Sequence, residues 1–161
     1  MLIMLEIVVV CVGKIDKLYW KAAHQEYLKR LQNNVKIKIH IIYEVSVAKN
    51  IKINLKLEYE KISALLAKYS HHQTFLLDLT GQLISSEDLA QIIIKNQNFH
   101  HGKLLFIIGG SDGVSQNLKD NQKIKKLAFG RITLLHQLAQ IILLEQLYRA
   151  LQIINHQPYH K

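Results

Sequence analysis

The chain reads as an α/β domain, a mainly parallel sheet with helices on both faces, and three observations lead there. Apolar runs of strand length alternate with stretches of helical spacing, and the connections between them are short. The run Leu104 to Ile108 is apolar without a break, as a strand buried on both faces requires, and it stops at Gly109 and Gly110 with a third glycine at Gly113. Pro158 is the only proline, and no repeat or low-complexity tract interrupts the 161 residues, so 1–161 is read as one domain. A domain of roughly 150 residues buries about 70% of its unfolded surface and needs no staples.

The opening MLIMLEIVVV lacks the basic segment and small-residue cleavage site of a secretory signal. It is also far shorter than the roughly 20 residues that cross a bilayer, so it is expected to be the first strand, centred on Ile7 to Cys11. Ile15, Leu18, Tyr19, Ala22, Ala23 and Leu31 recur at helical spacing, with Lys14, Lys17, Lys21, Lys29 and Arg30 on the other face. Val35 to Tyr43 alternates apolar and basic residues, the period of a half-exposed strand. Ile53 to Tyr69 returns to helical spacing, and FLLDL is a short buried strand ending near Asp78. Ser85 followed three residues later by Asp88 predicts a capped helix running to about Gln97. After the glycine strand, Gln116 to Lys126 reads as a polar lysine-rich helix, Ile132 to Leu134 as a short strand, and Leu135 to Ile154 as a long helix. That last helix is apolar on most of its circumference, with His136, Gln137 and Gln140 on one side and Glu145, Arg149 and Gln152 on another. It must be buried from several directions, and packing against a second copy of itself is the expectation.

Lys and Arg number 21 against 12 acids, a formal charge of +9 and a pI near 9.6. A small domain this basic is predisposed to polyanions, nucleic acid first among them. The single cysteine, Cys11, has no partner in the chain and reads as a buried hydrophobe in a reducing, cytoplasmic protein.

The segment Gly109 to Gly113 is either a ligand loop or an ordinary strand-to-helix turn. It is neither G-x-G-x-x-G nor a Walker loop, which leaves dinucleotide and nucleoside triphosphate readings weak. His156 and His160 are four apart, but Pro158 lies between them and no cysteine or carboxylate supports them, so no metal site is expected. The closing HQPYHK carries an aromatic ring and two imidazoles. Tyr159 is suited to stacking on a base and His160 to moving a proton near neutral pH, the alternative being a solvated polar end.

VGK at Val12, EYLKRL at Glu26, IGGSDG at Ile108, LAFGRITLLH at Leu127, and LLEQLYRALQI followed by the terminal PYHK resemble the bacterial ribosomal RNA large subunit methyltransferase H family. That family is similar to the SPOUT group of S-adenosylmethionine-dependent methyltransferases. The resemblance runs from the first strand to the last residue. It implies a C-terminal trefoil knot, a homodimer, and N3-methylation of a pseudouridine in a 23S ribosomal RNA stem-loop on the assembled ribosome. It also implies that Leu77, Gly110, Phe129, Gly130, Arg131, Ile132, Thr133 and Leu134 hold S-adenosylmethionine, largely through backbone groups. By the same resemblance Tyr159 and His160 position the base or accept its proton, in the partner's site, and Arg149 and His136 contact RNA; no metal or membrane is implied.

Two positions depart from the family pattern: Leu135 precedes His136 where proline is usual, and Gln140 stands where arginine is usual. Losing that arginine keeps open a reading from another class, a non-catalytic basic RNA- or ribosome-binding module of the same fold. A flavodoxin-type nucleotide binder fits the alternation of strands and helices but not the PYHK ending.

Overall fold

The two most apolar runs of the chain become the centre of the sheet. The computed structural model describes residues 4–161; Met1, Leu2 and Ile3, part of the opening run expected to be strand, lie outside the described residues. Strand β1 (Glu6–Val12) is followed by helix α1 (Leu18–Gln32), β2 (Lys36–Ile42), α2 (Ile51–Lys68), β3 (Gln73–Leu83), α3 (Ser86–Phe99), β4 (Lys103–Ile108), a single turn α4 (Gln116–Lys119), β5 (Ile124–Ala128) and α5 (His136–Ile154). The five strands form one sheet in the order β2-β1-β4-β3-β5, every pair parallel.

Because side chains alternate across a strand, β1 serves two cores. Ile7, Val9 and Cys11 join Phe75, Phe106 and Ile108 beneath α1, α3 and α5. Val8, Val10 and Val12 join Leu76, Leu105 and Ile107 on the other face, closed by Ile62 of α2, Tyr69 just after it and Leu118 of α4. Phe75 and Phe106 stack with ring centres 5.4 Å apart. Truncating either to alanine costs about 3–5 kcal/mol at a site as closed as this. Burial also raises the Cys11 thiol to about 12, so it is an inert part of that core.

The expected cap of α3 is present: Ser85 Oγ accepts from Asp88 N–H at 3.0 Å, and Asp88 Oδ2 accepts from Ser85 N–H at 2.8 Å. Two elements differ from the sequence reading. The expected helix from Gln116 to Lys126 ends after one turn at Lys119, and its last three residues, from Ile124, open β5. Ile124, Leu127 and Ala128 are buried there, and the lysines between them had masked that pattern. The expected strand Ile132 to Leu134 is instead part of the loop from β5 to α5. β5 already closes that edge of the sheet, and Ile132 stands 73% exposed.

The near-uniform apolarity of α5 is met largely within the chain. Ile141, Leu143, Leu144, Leu147, Ala150 and Leu151 are buried, and the helix packs against both α1 and α3 as well as the sheet. No helix among the described residues is long and apolar enough to cross a membrane.

Candidate active site

Three strands end on one side of a cavity of about 570 Å³, at the carboxyl edge where open α/β sheets hold ligands. β4 leaves the sheet through Gly109 and Gly110, and the chain turns back at once, Gly113 N–H donating to Gly110 C=O at 3.0 Å with Gly113 at φ +80°. The turn is tethered from outside: Glu44 Oε1 accepts from Ser111 N–H at 2.7 Å and from Ser111 Oγ at 2.8 Å. A Cβ on Gly110 would lie 2.4 Å from that carboxylate oxygen, which is why a side chain is missing there. Glu44 is carried on a loop that α2 holds down, with Glu58 accepting from Val45 N–H at 2.8 Å and Asn54 bonded to both N–H and C=O of Ala48.

β3 supplies the second side. Its pairing with β5 shifts between Leu77 and Gln82, so Asp78 to Gly81 bulge away from the ladder. The Arg131 guanidinium donates to Leu79 C=O and, at 2.9 Å, to Gly81 C=O, pinning the loop after β5 across the end of β3. Gly81 lets the strands meet, since a Cβ there would stand 2.6 Å from Leu127 N.

Of the residues the sequence pointed to for a cofactor, Leu77, Gly110, Phe129, Gly130, Ile132, Thr133 and Leu134 line this cavity, and Arg131 braces its wall from behind. His136, expected to contact RNA, also lines it, with Nδ1 buried and unpartnered. Gln140, one helical turn on, is buried and donates to Gly13 C=O at 3.1 Å. Where arginine is usual, a neutral amide here ties α5 to the end of β1.

Arg149, Tyr159 and His160 gather elsewhere. Ile142 is the last residue of α5 on the cavity, and twelve residues at 1.5 Å each put the end of the helix about 18 Å further along. The chain then reverses: His156 takes φ 54°, its N–H donates to Ile153 C=O, and Gln157 N–H donates to Gln152 C=O, a Schellman motif that turns the tail back. Tyr159 O–H donates to Glu145 Oε1 at 3.2 Å and the ring lies under Arg149 at 4.8 Å and edge-on to Tyr148 at 5.0 Å. Arg149 is held by Glu145 at 2.6 and 3.0 Å. His160 Nε2 lies 2.7 Å from Glu87 Oε1, and Nδ1 is 3.3 Å from Arg149 Nη1. Burial, the nearby Tyr27 hydroxyl and the Glu145 carboxylate raise the Tyr159 phenol to about 12, so it stays protonated at neutral pH.

Four acids that sequence reasoning passed over organise both places: Glu44 and Asp78 at the cavity, Glu87 and Glu145 at the tail. Only Glu145 left a local signal, its i,i+4 spacing to Arg149. Among the described residues no three His, Cys, Asp or Glu side chains group as metal ligands.

The family model described as "Predicted SPOUT methyltransferase" matches residues 5–160. The chain is 39% identical over 160 residues to the ribosomal RNA large subunit methyltransferase H of Mycoplasma capricolum, covering 98% of this chain and 100% of the relative. Proteins of the same name from Carboxydothermus hydrogenoformans and Oenococcus oeni are each 40% identical, over 163 and 161 residues, with 98% of this chain and 100% of the relative covered. With a match running through every strand and both clusters, the chain belongs to the ribosomal RNA large subunit methyltransferase H family of SPOUT methyltransferases.

Proposed function

We propose that this protein methylates N3 of a pseudouridine in 23S ribosomal RNA, on the assembled large subunit in the cytoplasm, with S-adenosylmethionine as donor. The observation that carries the reading is the cavity at the ends of β3, β4 and β5. Its volume of about 570 Å³ suits a ligand of nucleoside size. Gly110 and Gly130 leave main-chain atoms accessible, and a Cβ on Gly110 would collide with Glu44. Leu77, Gly110 and the loop Phe129 to Leu134 would hold the donor, with Arg131 keeping that loop closed. When bound, the donor supplies a methyl group made electrophilic by its sulfonium.

The chain's own residues align the acceptor and take its proton. His160 accepts the N3 proton. With Nε2–H donating to Glu87, Nδ1 takes the proton once the base displaces the 3.3 Å bond that Nδ1 accepts from Arg149, and Glu87 steadies the resulting imidazolium. Tyr159, kept a phenol, positions the base, while Arg149 and His136 contact RNA.

The tail acts in the partner's cavity. The exposed apolar side chains Leu18, Tyr19, Ile132 and Leu135, which a homodimer would cover, support this. A trefoil knot belongs to the same reading, supported by β5 lying outside β3 with its following loop clamped across β3 by Arg131. Gln140, uncharged and occupied with Gly13, favours as second reading an RNA-binding module without turnover. In the first reading His160→Ala abolishes methylation while calorimetry still finds S-adenosylmethionine bound; undiminished turnover of that variant would remove His160 from the mechanism.

A further inference from the structure

Two charged side chains stand in the cavity wall among the described residues, Asp78 and Lys119, and the methyl-transfer reading above gives neither a part in binding. The rest of the lining is glycine, aliphatic or aromatic apart from Thr80, Thr133 and His136. The Asp78 side chain is 8% exposed. Its Oδ1 accepts from Thr80 N–H at 2.7 Å and from Thr80 Oγ1 at 2.6 Å, whereas Oδ2 has Lys119 Nζ at 3.8 Å, beyond hydrogen-bond range. Burial opposes ionisation, but the two Thr80 bonds and the charges of Lys119 and Lys126 outweigh it and hold the carboxyl below its ordinary value. One carboxylate oxygen therefore carries charge beside an apolar cavity with no close partner, and in such surroundings a fixed charge acts strongly on whatever enters.

We propose that Asp78 and Lys119 are a charge-reading subsite for the amino-acid end of the methyl donor. Lys119 binds the carboxylate, which donor and product share. Asp78 faces the sulfonium, the charge that the donor has and S-adenosylhomocysteine lacks. The site thus prefers the loaded donor and loosens its hold once the methyl has gone. The inference rests on the methyl-donor reading above and adds to it the residue that tells donor from product.

Asp78→Asn separates charge from structure, because its amide oxygen still accepts from Thr80. Calorimetry on the purified full chain is expected to show S-adenosylmethionine binding about tenfold more tightly than S-adenosylhomocysteine, a difference of about 1.4 kcal/mol. In Asp78→Asn the donor should weaken to the level of the product while the product's Kd stays the same; Lys119→Met should weaken both alike. Sinefungin, which carries an ammonium-bearing carbon in place of the sulfonium, should bind the unaltered protein as the donor does, a measurement that needs no variant. Asp78→Asn weakening both ligands equally, an unchanged ratio, or sinefungin binding no better than the product would overturn the proposal alone. Unaltered protein binding neither donor nor product would overturn the methyl-donor reading together with it.

Discussion

Gly110→Ala is the sharpest probe of how the glycine turn is held. Gly110 needs no unusual φ, so the added methyl acts by contact alone, 2.4 Å from Glu44 Oε1 and 3.1 Å from Cδ and Cγ. The obstacle is the tip of a flexible side chain, which can swing away, but only by releasing both Ser111 bonds. At an exposed site each is worth about 1 kcal/mol. The variant should therefore lose about 2 kcal/mol, a fall in Tm of about 4–8 °C for a chain of this length, and bind S-adenosylmethionine about tenfold more weakly as the turn shifts. Thermal melts and calorimetry read both quantities. A Glu44→Ala background removes all three atoms nearest the added methyl, and the penalty of Gly110→Ala should drop below about 0.5 kcal/mol. An equal penalty in both backgrounds would refute the steric reasoning.

Four further outcomes are expected. Glu145→Gln weakens the hold on Arg149 and Tyr159, so methyl transfer should fall about a hundredfold with donor affinity unchanged; loss of donor binding would place Glu145 in the cavity's support instead. Leu135 already has φ −56°, so Leu135→Pro should raise stability by about 0.5 kcal/mol, read as a Tm increase of about 1–2 °C. His72 is 5% exposed, and burial lowers its pKa despite Glu6 at 3.3 Å. The unfolded chain then binds the extra proton first, so stability is full above pH of about 6.5 and is lost as pH falls through the lower folded value; His72→Gln should flatten that slope in denaturant titrations. Finally, a Cβ at Gly130 meets nothing within 4 Å, so Gly130→Trp should block the cavity, and equal mixing of it with His160→Ala should restore about a quarter of normal activity through mixed dimers, whereas a tail working in its own subunit would leave the mixture inactive.

What the sequence disclosed follows from how locally each feature is encoded. β1 and β4 are legible because burial on both faces demands unbroken apolar runs, and the α3 cap because Ser85 and Asp88 are three residues apart. β5 was hidden because exposed Lys125 and half-buried Lys126 interrupt a strand whose apolar residues are only three, and the extra length of β3 because its bulge interrupts the pattern at Asp78. The glycines of the Gly109 to Gly113 turn were visible and left a ligand loop and an ordinary turn both open, yet the tether to Glu44 spans 67 residues and leaves no periodic trace. Tyr159 and His160 stood out in the tail by residue type alone. The tail's position was not legible, since that depends on the length of α5, the left-handed turn at His156, and pairings with Glu87 and Glu145 that only the fold brings about.

Large-subunit ribosomes from cells lacking this gene, incubated with the purified protein and S-adenosylmethionine and then mapped by mass across the 23S RNA, test the account most directly. The expected result is one added methyl group on N3 of one pseudouridine, absent before incubation and absent again with His160→Ala. Ribosomes that gain no methyl group, or gain it on a base other than a pseudouridine, would contradict it.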